Sequence, residues 1–184
     1  TNDSALSAVS WDELDVRVTN RIDRFRATLL RPIDLDAFED EADNDEFGSA
    51  LTVGDFNADG FDDAAIGIPS EDLGAAVDFG QVLISFGSIN GLNEGTFGQK
   101  IVVGAQLSQQ GQDFGRALAA GDFNCDGFDD LAIGVPLYDG TSADTGRIYT
   151  FDGSPTGLVL SSLRQIDRDT GDLAGTATSG DMFG

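Results

Sequence analysis

Residues 47–70 read FGSALTVGDFNADGFDDAAIGIPS, and residues 114–137 read FGRALAAGDFNCDGFDDLAIGVPL. The two stretches agree at 17 of 24 positions without a gap, at an offset of 67 residues. Self-similarity at a period of this size marks an array in which one supersecondary unit stacks on the next. A third Phe-Gly, Phe183-Gly184, follows 69 residues after Phe114-Gly115. The second halves correspond more loosely: Gly80–Ser88 aligns with Gly146–Ser154, and each is followed by a Gly-Leu pair, Gly91-Leu92 and Gly157-Leu158.

Turn residues cut each unit into four short apolar segments, so four strands per repeat are expected. In the first they are about 49–53, 64–68, 81–86 and 100–103; in the second about 116–120, 131–135, 147–151 and 163–166. Runs such as Ala65-Ile66-Gly67-Ile68 and Val82-Leu83-Ile84 lack alternation, which suits strands covered on both faces. A four-stranded antiparallel unit of this kind must pack face to face on a neighbour, the construction of a β-propeller.

The first and second strands of each repeat are joined by the same nine-residue loop. It runs Asp55-Phe56-Asn57-Ala58-Asp59-Gly60-Phe61-Asp62-Asp63 and Asp122-Phe123-Asn124-Cys125-Asp126-Gly127-Phe128-Asp129-Asp130. Oxygen side chains at positions 1, 3, 5 and 9, glycine at 6 for a sharp turn and a backbone carbonyl at 7 make a donor set suited to Ca2+. The candidate ligands are Asp55, Asn57, Asp59, Asp63 and the carbonyl of Phe61, then Asp122, Asn124, Asp126, Asp130 and the carbonyl of Phe128, two sites per chain. Neither loop contains Lys or Arg, so its carboxylates repel one another without a cation. An ordinary acidic turn is the bland alternative, weakened by the pattern recurring at the same place in the repeat. An EF-hand is disfavoured, because position 12 is Ile66 and Ile133 where a bidentate Glu is needed. Asp62 and Asp129 are expected to be solvated or to support the ligands, Cys125 to be incidental, and Phe56, Phe61, Phe123 and Phe128 to pack beneath the loops.

These residues resemble the FG-GAP repeat, the blade unit of the integrin alpha-subunit β-propeller and of many bacterial secreted proteins. The motif stands as Phe47-Gly48 with Gly67-Ile68-Pro69, and as Phe114-Gly115 with Gly134-Val135-Pro136; its middle alanine is Ile68 or Val135 here. The resemblance covers about residues 44–184. It implies blades with calcium hairpins at one end and ligand-contacting loops at the other, here about 70–79, 106–113, 137–145 and 167–181. A propeller of this family has about seven blades, so this chain would be a segment of a longer protein or would assemble with further copies. The expected fold is all-β, with propeller-type blades: 44–113 as repeat 1, 114–182 as repeat 2 and 183–184 opening a third.

Residues 1–43 do not match the repeat. Ser10 and Glu13 form a capping-box pattern, and Leu14, Val18, Ile22, Phe25 and Leu29 recur at helical spacing, so an N-terminal amphipathic helix ending before Pro32 is expected. The alternative is a strand hairpin within 16–30. Eight of the thirteen residues 34–46 are acidic, the composition of a solvated linker.

Composition narrows the function. Ten Lys+Arg against 33 Asp+Glu give a net charge of −23, which disfavours nucleic acid and anionic lipid as partners. The absence of His removes Ser-His-Asp and Cys-His catalysis and His-ligated zinc. Cys125, the one cysteine, cannot close an internal disulfide. No apolar run is long enough for a transmembrane segment, and the start at Thr1 suits a processed chain or an excised piece. The reading is a non-enzymatic, calcium-binding extracellular module, secreted or at the cell surface, serving adhesion or binding of a protein or glycan ligand. The alternatives are a structural subunit of a larger extracellular assembly, through self-association or further blades, and the non-catalytic propeller part of a secreted hydrolase or lyase.

Overall fold

The computed structural model describes residues 14–20, 24–30, 45–72, 78–92, 98–102, 111–171 and 173–184. Among the described residues, ten strands account for nearly all regular structure: β1 (Leu14–Asn20), β2 (Arg24–Leu30), β3 (Ala50–Gly54), β4 (Asp63–Ile68), β5 (Gln81–Ser85), β6 (Gln99–Ile101), β7 (Ala117–Gly121), β8 (Asp130–Val135), β9 (Arg147–Phe151) and β10 (Arg164–Ile166). A 3-10 turn, Leu160–Ser162, precedes β10.

The two repeats form two antiparallel four-stranded sheets in the orders β3-β4-β5-β6 and β7-β8-β9-β10. Their registers coincide once the repeat offset is applied. Leu51 opposes Ile66 as Leu118 opposes Ile133, and Gly67 opposes Val82 as Gly134 opposes Ile148. Every residue of β4 and of β5 is buried, which is why neither shows the alternation of a half-exposed strand. One face of the first sheet (Ala65, Val82, Ile84) joins Leu131, Ile133, Val135, Tyr149 and Phe151 of the second in a shared core. The opposite side of β4 and β5 (Ala64, Ile66, Ile68, Leu83) packs with Leu92 and Phe47. Each buried Val, Leu or Ile among these contributes roughly 1.5–3 kcal/mol.

Glycine sets how closely the blades approach. A Cβ on Gly67 would lie 2.1 Å from the carbonyl oxygen of Gly115, and one on Gly80 would lie 2.3 Å from that of Phe114. Thus the Phe-Gly that opens repeat 2 seats against the body of blade 1. Phe183-Gly184 repeats this on blade 2: a Cβ on Gly134 would meet Gly184, one on Gly146 would meet the Phe183 backbone, and Gly146 and Phe183 form a parallel bridge.

The expected N-terminal amphipathic helix is not found. Residues 14–20 and 24–30 pair antiparallel, from Leu14 opposite Leu30 to Asn20 opposite Arg24, so the hairpin alternative holds. The sequence explains this: apolar Leu14, Val16 and Val18 alternate with Asp15, Arg17 and Thr19, a period of two that overrides the looser spacing of four. The capping-box residues Ser10 and Glu13 and the acidic stretch 34–44 lie outside the described residues.

Candidate metal centres

The loops joining β3 to β4 and β7 to β8 carry all ten expected ligands, at the same end of the two blades. In loop 1 the Asp55 carboxylate accepts the N–H of Asp59 (3.0 Å) and of Gly60 (2.9 Å). The Asn57 side-chain oxygen accepts Asp59 N–H at 2.9 Å, and Asp59 accepts Phe61 N–H at 2.9 Å. Loop 2 repeats every one of these bonds: Asp122 with Asp126 and Gly127 (both 3.0 Å), Asn124 with Asp126 (2.9 Å) and Asp126 with Phe128 (3.0 Å). In each loop the Asn amide also donates to the position-5 Asp, at 3.2 Å in loop 1 and 3.0 Å in loop 2. Gly60 and Gly127 turn the chain at φ 89° and 93°, as position 6 requires. Ala58 and Cys125 also hold positive φ, 53° and 63°, a conformation that neither residue type signals in sequence.

Position 9 is the buried end of each loop. Asp63 accepts Phe56 N–H at 3.0 Å and Gly87 N–H at 2.8 Å; Asp130 accepts Phe123 N–H at 3.0 Å and Gly153 N–H at 2.8 Å. These aspartates thus pin the β3–β4 and β7–β8 loops to the turns that follow β5 and β9. Burial pushes the Asp63 carboxyl up to about 7; the Gly87 and Phe56 N–H groups pull it down, and Asp59 and Asp55 push it up further. A cation relieves that combination of burial and like charge.

The donor set is all oxygen, which fits a hard cation such as Ca2+. Yet the carboxylates are turned to backbone N–H groups, and among the described residues no three acidic, Cys or His side chains converge as a ready-made metal cluster. The loops therefore present an all-oxygen donor set whose first- and fifth-position carboxylates are held by backbone N–H groups.

Two features go beyond the sequence reading. Asp129, at position 8, takes the supporting role expected as one of its two options, but on the other blade's loop: its Oδ2 accepts Asp55 N–H at 2.8 Å, and its N–H donates to Asp55 C=O at 3.1 Å, across the blade boundary. The signal was present as Asp at position 8 of both loops, but its partner lies 74 residues away. Phe123 departs from the expected core: it is 54% exposed, whereas Phe56 is fully buried. Phe56 lies beneath blade 2, whose Ser154 N–H donates to Phe56 C=O at 3.2 Å; among the described residues no blade covers Phe123.

At the opposite end, the turns after β8 and β10 are braced from within. Arg147 donates from Nε to Asp167 at 2.7 Å and lies 3.7 Å from the centroid of the Tyr138 ring. Asp167 in turn accepts the N–H and hydroxyl of Thr170, at 2.7 and 2.8 Å. Cys125 is exposed.

A pair of four-stranded antiparallel blades sharing one core, each headed by an acid-rich hairpin, defines the propeller-blade class. Residues 47–85 and 114–151 match the family described as FG-GAP repeat, and the chain carries two such repeats. Integrin alpha-PS5 of Drosophila melanogaster is 33% identical over 135 residues, covering 72% of this chain and 12% of that protein. Human phosphatidylinositol-glycan-specific phospholipase D is 35% identical over 122 residues, covering 62% of this chain and 14% of that protein. Integrin alpha-5 of Xenopus laevis is 32% identical over 140 residues, 71% of this chain and 12% of the relative. The chain thus spans only a small part of the length of these relatives. Among the described residues no helix is long and apolar enough to cross a membrane.

Proposed function

We propose that the chain is a calcium-stabilised interaction module of the extracellular space, secreted or displayed at a cell surface. One Ca2+ is held in each loop, by Asp55, Asn57, Asp59, Asp63 and the Phe61 carbonyl, and by Asp122, Asn124, Asp126, Asp130 and the Phe128 carbonyl. The loops at the other end of the blades, Leu137–Thr145 and Asp167–Asp181 among them, receive a protein or glycan partner, as in adhesion. The observation that carries the reading is the loop itself, twice present with the same all-oxygen donors and the same hydrogen bonds. Integrin alpha relatives support a binding role. The ion's contribution is electrostatic: it neutralises carboxylates that burial and mutual repulsion disfavour.

The phospholipase D relatives favour a second reading, in which these blades are the non-catalytic part of a larger secreted hydrolase. The complete lack of His and the absorption of the best-defined carboxylate clusters into the loops both argue against chemistry within this chain.

Calorimetric titration of metal-stripped protein with Ca2+ tests the first reading. Two ions per chain are expected, with a melting temperature that rises with calcium and about 2.7 kcal/mol of stabilisation per site at a hundredfold excess over Kd. Absence of binding at millimolar Ca2+ would reduce the loops to acidic turns.

A further inference from the structure

We infer that Asp129 is a positioning residue that couples the two calcium loops, so that an ion in loop 2 organises the first ligand of loop 1. This rests on the calcium reading above and adds a direction and a route to it.

The route is a pair of short backbone links. Asp55 is position 1 of loop 1, and both of its main-chain polar groups are taken by Asp129: its N–H by the Asp129 carboxylate at 2.8 Å, its C=O by the Asp129 N–H at 3.1 Å. Asp129 immediately precedes Asp130, position 9 of loop 2. A second link runs in parallel: Asp130 accepts Gly153 N–H at 2.8 Å, and the next residue, Ser154, donates to Phe56 C=O at 3.2 Å. Fixing Asp130 therefore fixes three consecutive peptide groups at the start of loop 1 from the neighbouring blade.

The contact is fitted on both sides. Gly54 leaves room for the carboxylate; a Cβ there would lie 2.9 Å from Asp129 Oδ2. A Cβ on Gly153 would lie 2.4 Å from Asp129 C=O and 3.0 Å from Phe56 C=O. In blade 2 the place equivalent to Gly54, Gly121, has the ring of its own Phe123 as its nearest neighbour, so among the described residues the clamp occurs once, from loop 2 onto loop 1. Coupling of this kind is reciprocal in free energy.

The test uses the whole 184-residue chain with one loop disabled. In Asp59→Ala, where only loop 2 binds, adding Ca2+ is expected to slow hydrogen exchange of the Asp55 amide; in Asp59→Ala/Asp129→Ala it is not. In Asp126→Ala, where only loop 1 binds, adding Asp129→Ala is expected to weaken calcium affinity about fivefold, the worth of one net hydrogen bond. Asp129→Asn retains an acceptor oxygen and is expected to stay within about twofold of its parent, which separates the bond from the charge. If calcium fills loop 2 while the Asp55 amide is indifferent, or if Asn weakens loop 1 as much as Ala, the coupling is overturned. If neither single-loop chain binds Ca2+, the calcium reading itself falls and the coupling with it.

Discussion

Asp63 and Asp130 each hold two backbone N–H groups that belong to different turns, so they act as structural clasps even without an ion. Replacing Asp130 by Ala strands the Gly153 N–H in a buried setting and the Phe123 N–H in a partly buried one. The expected cost is about 2–4 kcal/mol in chelator, read from urea unfolding. Asp130→Asn, which keeps one acceptor oxygen, is expected to lose about half as much. At this scale the sequence was most readable, because spacing alone assigns donors at positions 1, 3, 5 and 9 and a turn at Gly60 and Gly127. Position 8 was opaque for a physical reason: Asp129 takes its meaning from Asp55, and local spacing carries no information about a partner in another blade.

At the scale of the element, β5 and β9 solve the same burial problem differently. Arg147 at the start of β9 is neutralised by Asp167 and stacked on Tyr138. Its counterpart Gln81 on β5 is fully buried, and among the described residues neither of its amide atoms has a hydrogen-bond partner. Arg147→Met is expected to destabilise by about 3–5 kcal/mol, because Asp167 is left buried without its counter-charge. Gln81→Met is expected to stabilise by about 1 kcal/mol, since an orphaned amide is exchanged for a thioether of similar volume. Burial pushes the Asp167 carboxyl up, but Thr170 and Arg147 more than offset it and hold it below its ordinary 3.8. A carboxyl with a depressed folded pKa stabilises above its unfolded value, and that stabilisation drains away as pH falls through the folded one. Acid unfolding below about pH 4 should therefore be shallower in Asp167→Asn than in the parent, as followed by circular dichroism. The strands themselves were legible to within two residues in both blades, because turn chemistry brackets them. The hairpin β1–β2 stood only as the alternative because Leu14, Val18, Ile22, Phe25 and Leu29 satisfy a helical period, while Leu14, Val16 and Val18, then Phe25, Ala27 and Leu29, satisfy a period of two, and the period of two prevails.

At the scale of the whole molecule, two blades are joined through small residues and one shared core. Gly67→Ala would drive a Cβ to 2.1 Å from the Gly115 carbonyl, and backbone on both sides leaves no flexible side chain to yield. The expected loss is about 3 kcal/mol, with the blades separating before either sheet melts; a biphasic denaturation curve would show this, and an unchanged midpoint would refute it. The repeat period announced the stacking, but which face meets which neighbour required coordinates. The Phe-Gly pair makes the point: Phe114-Gly115 opens repeat 2 in sequence, yet seats on blade 1 in space, and Phe183-Gly184 does the same on blade 2. The unit of inheritance and the unit of packing are thus out of phase. A gene that gains or loses one whole period, wherever the breakpoint falls within it, recreates every such seat without altering a codon at the junctions, so an array built this way can change length by unequal crossing-over while each new boundary arrives already fitted.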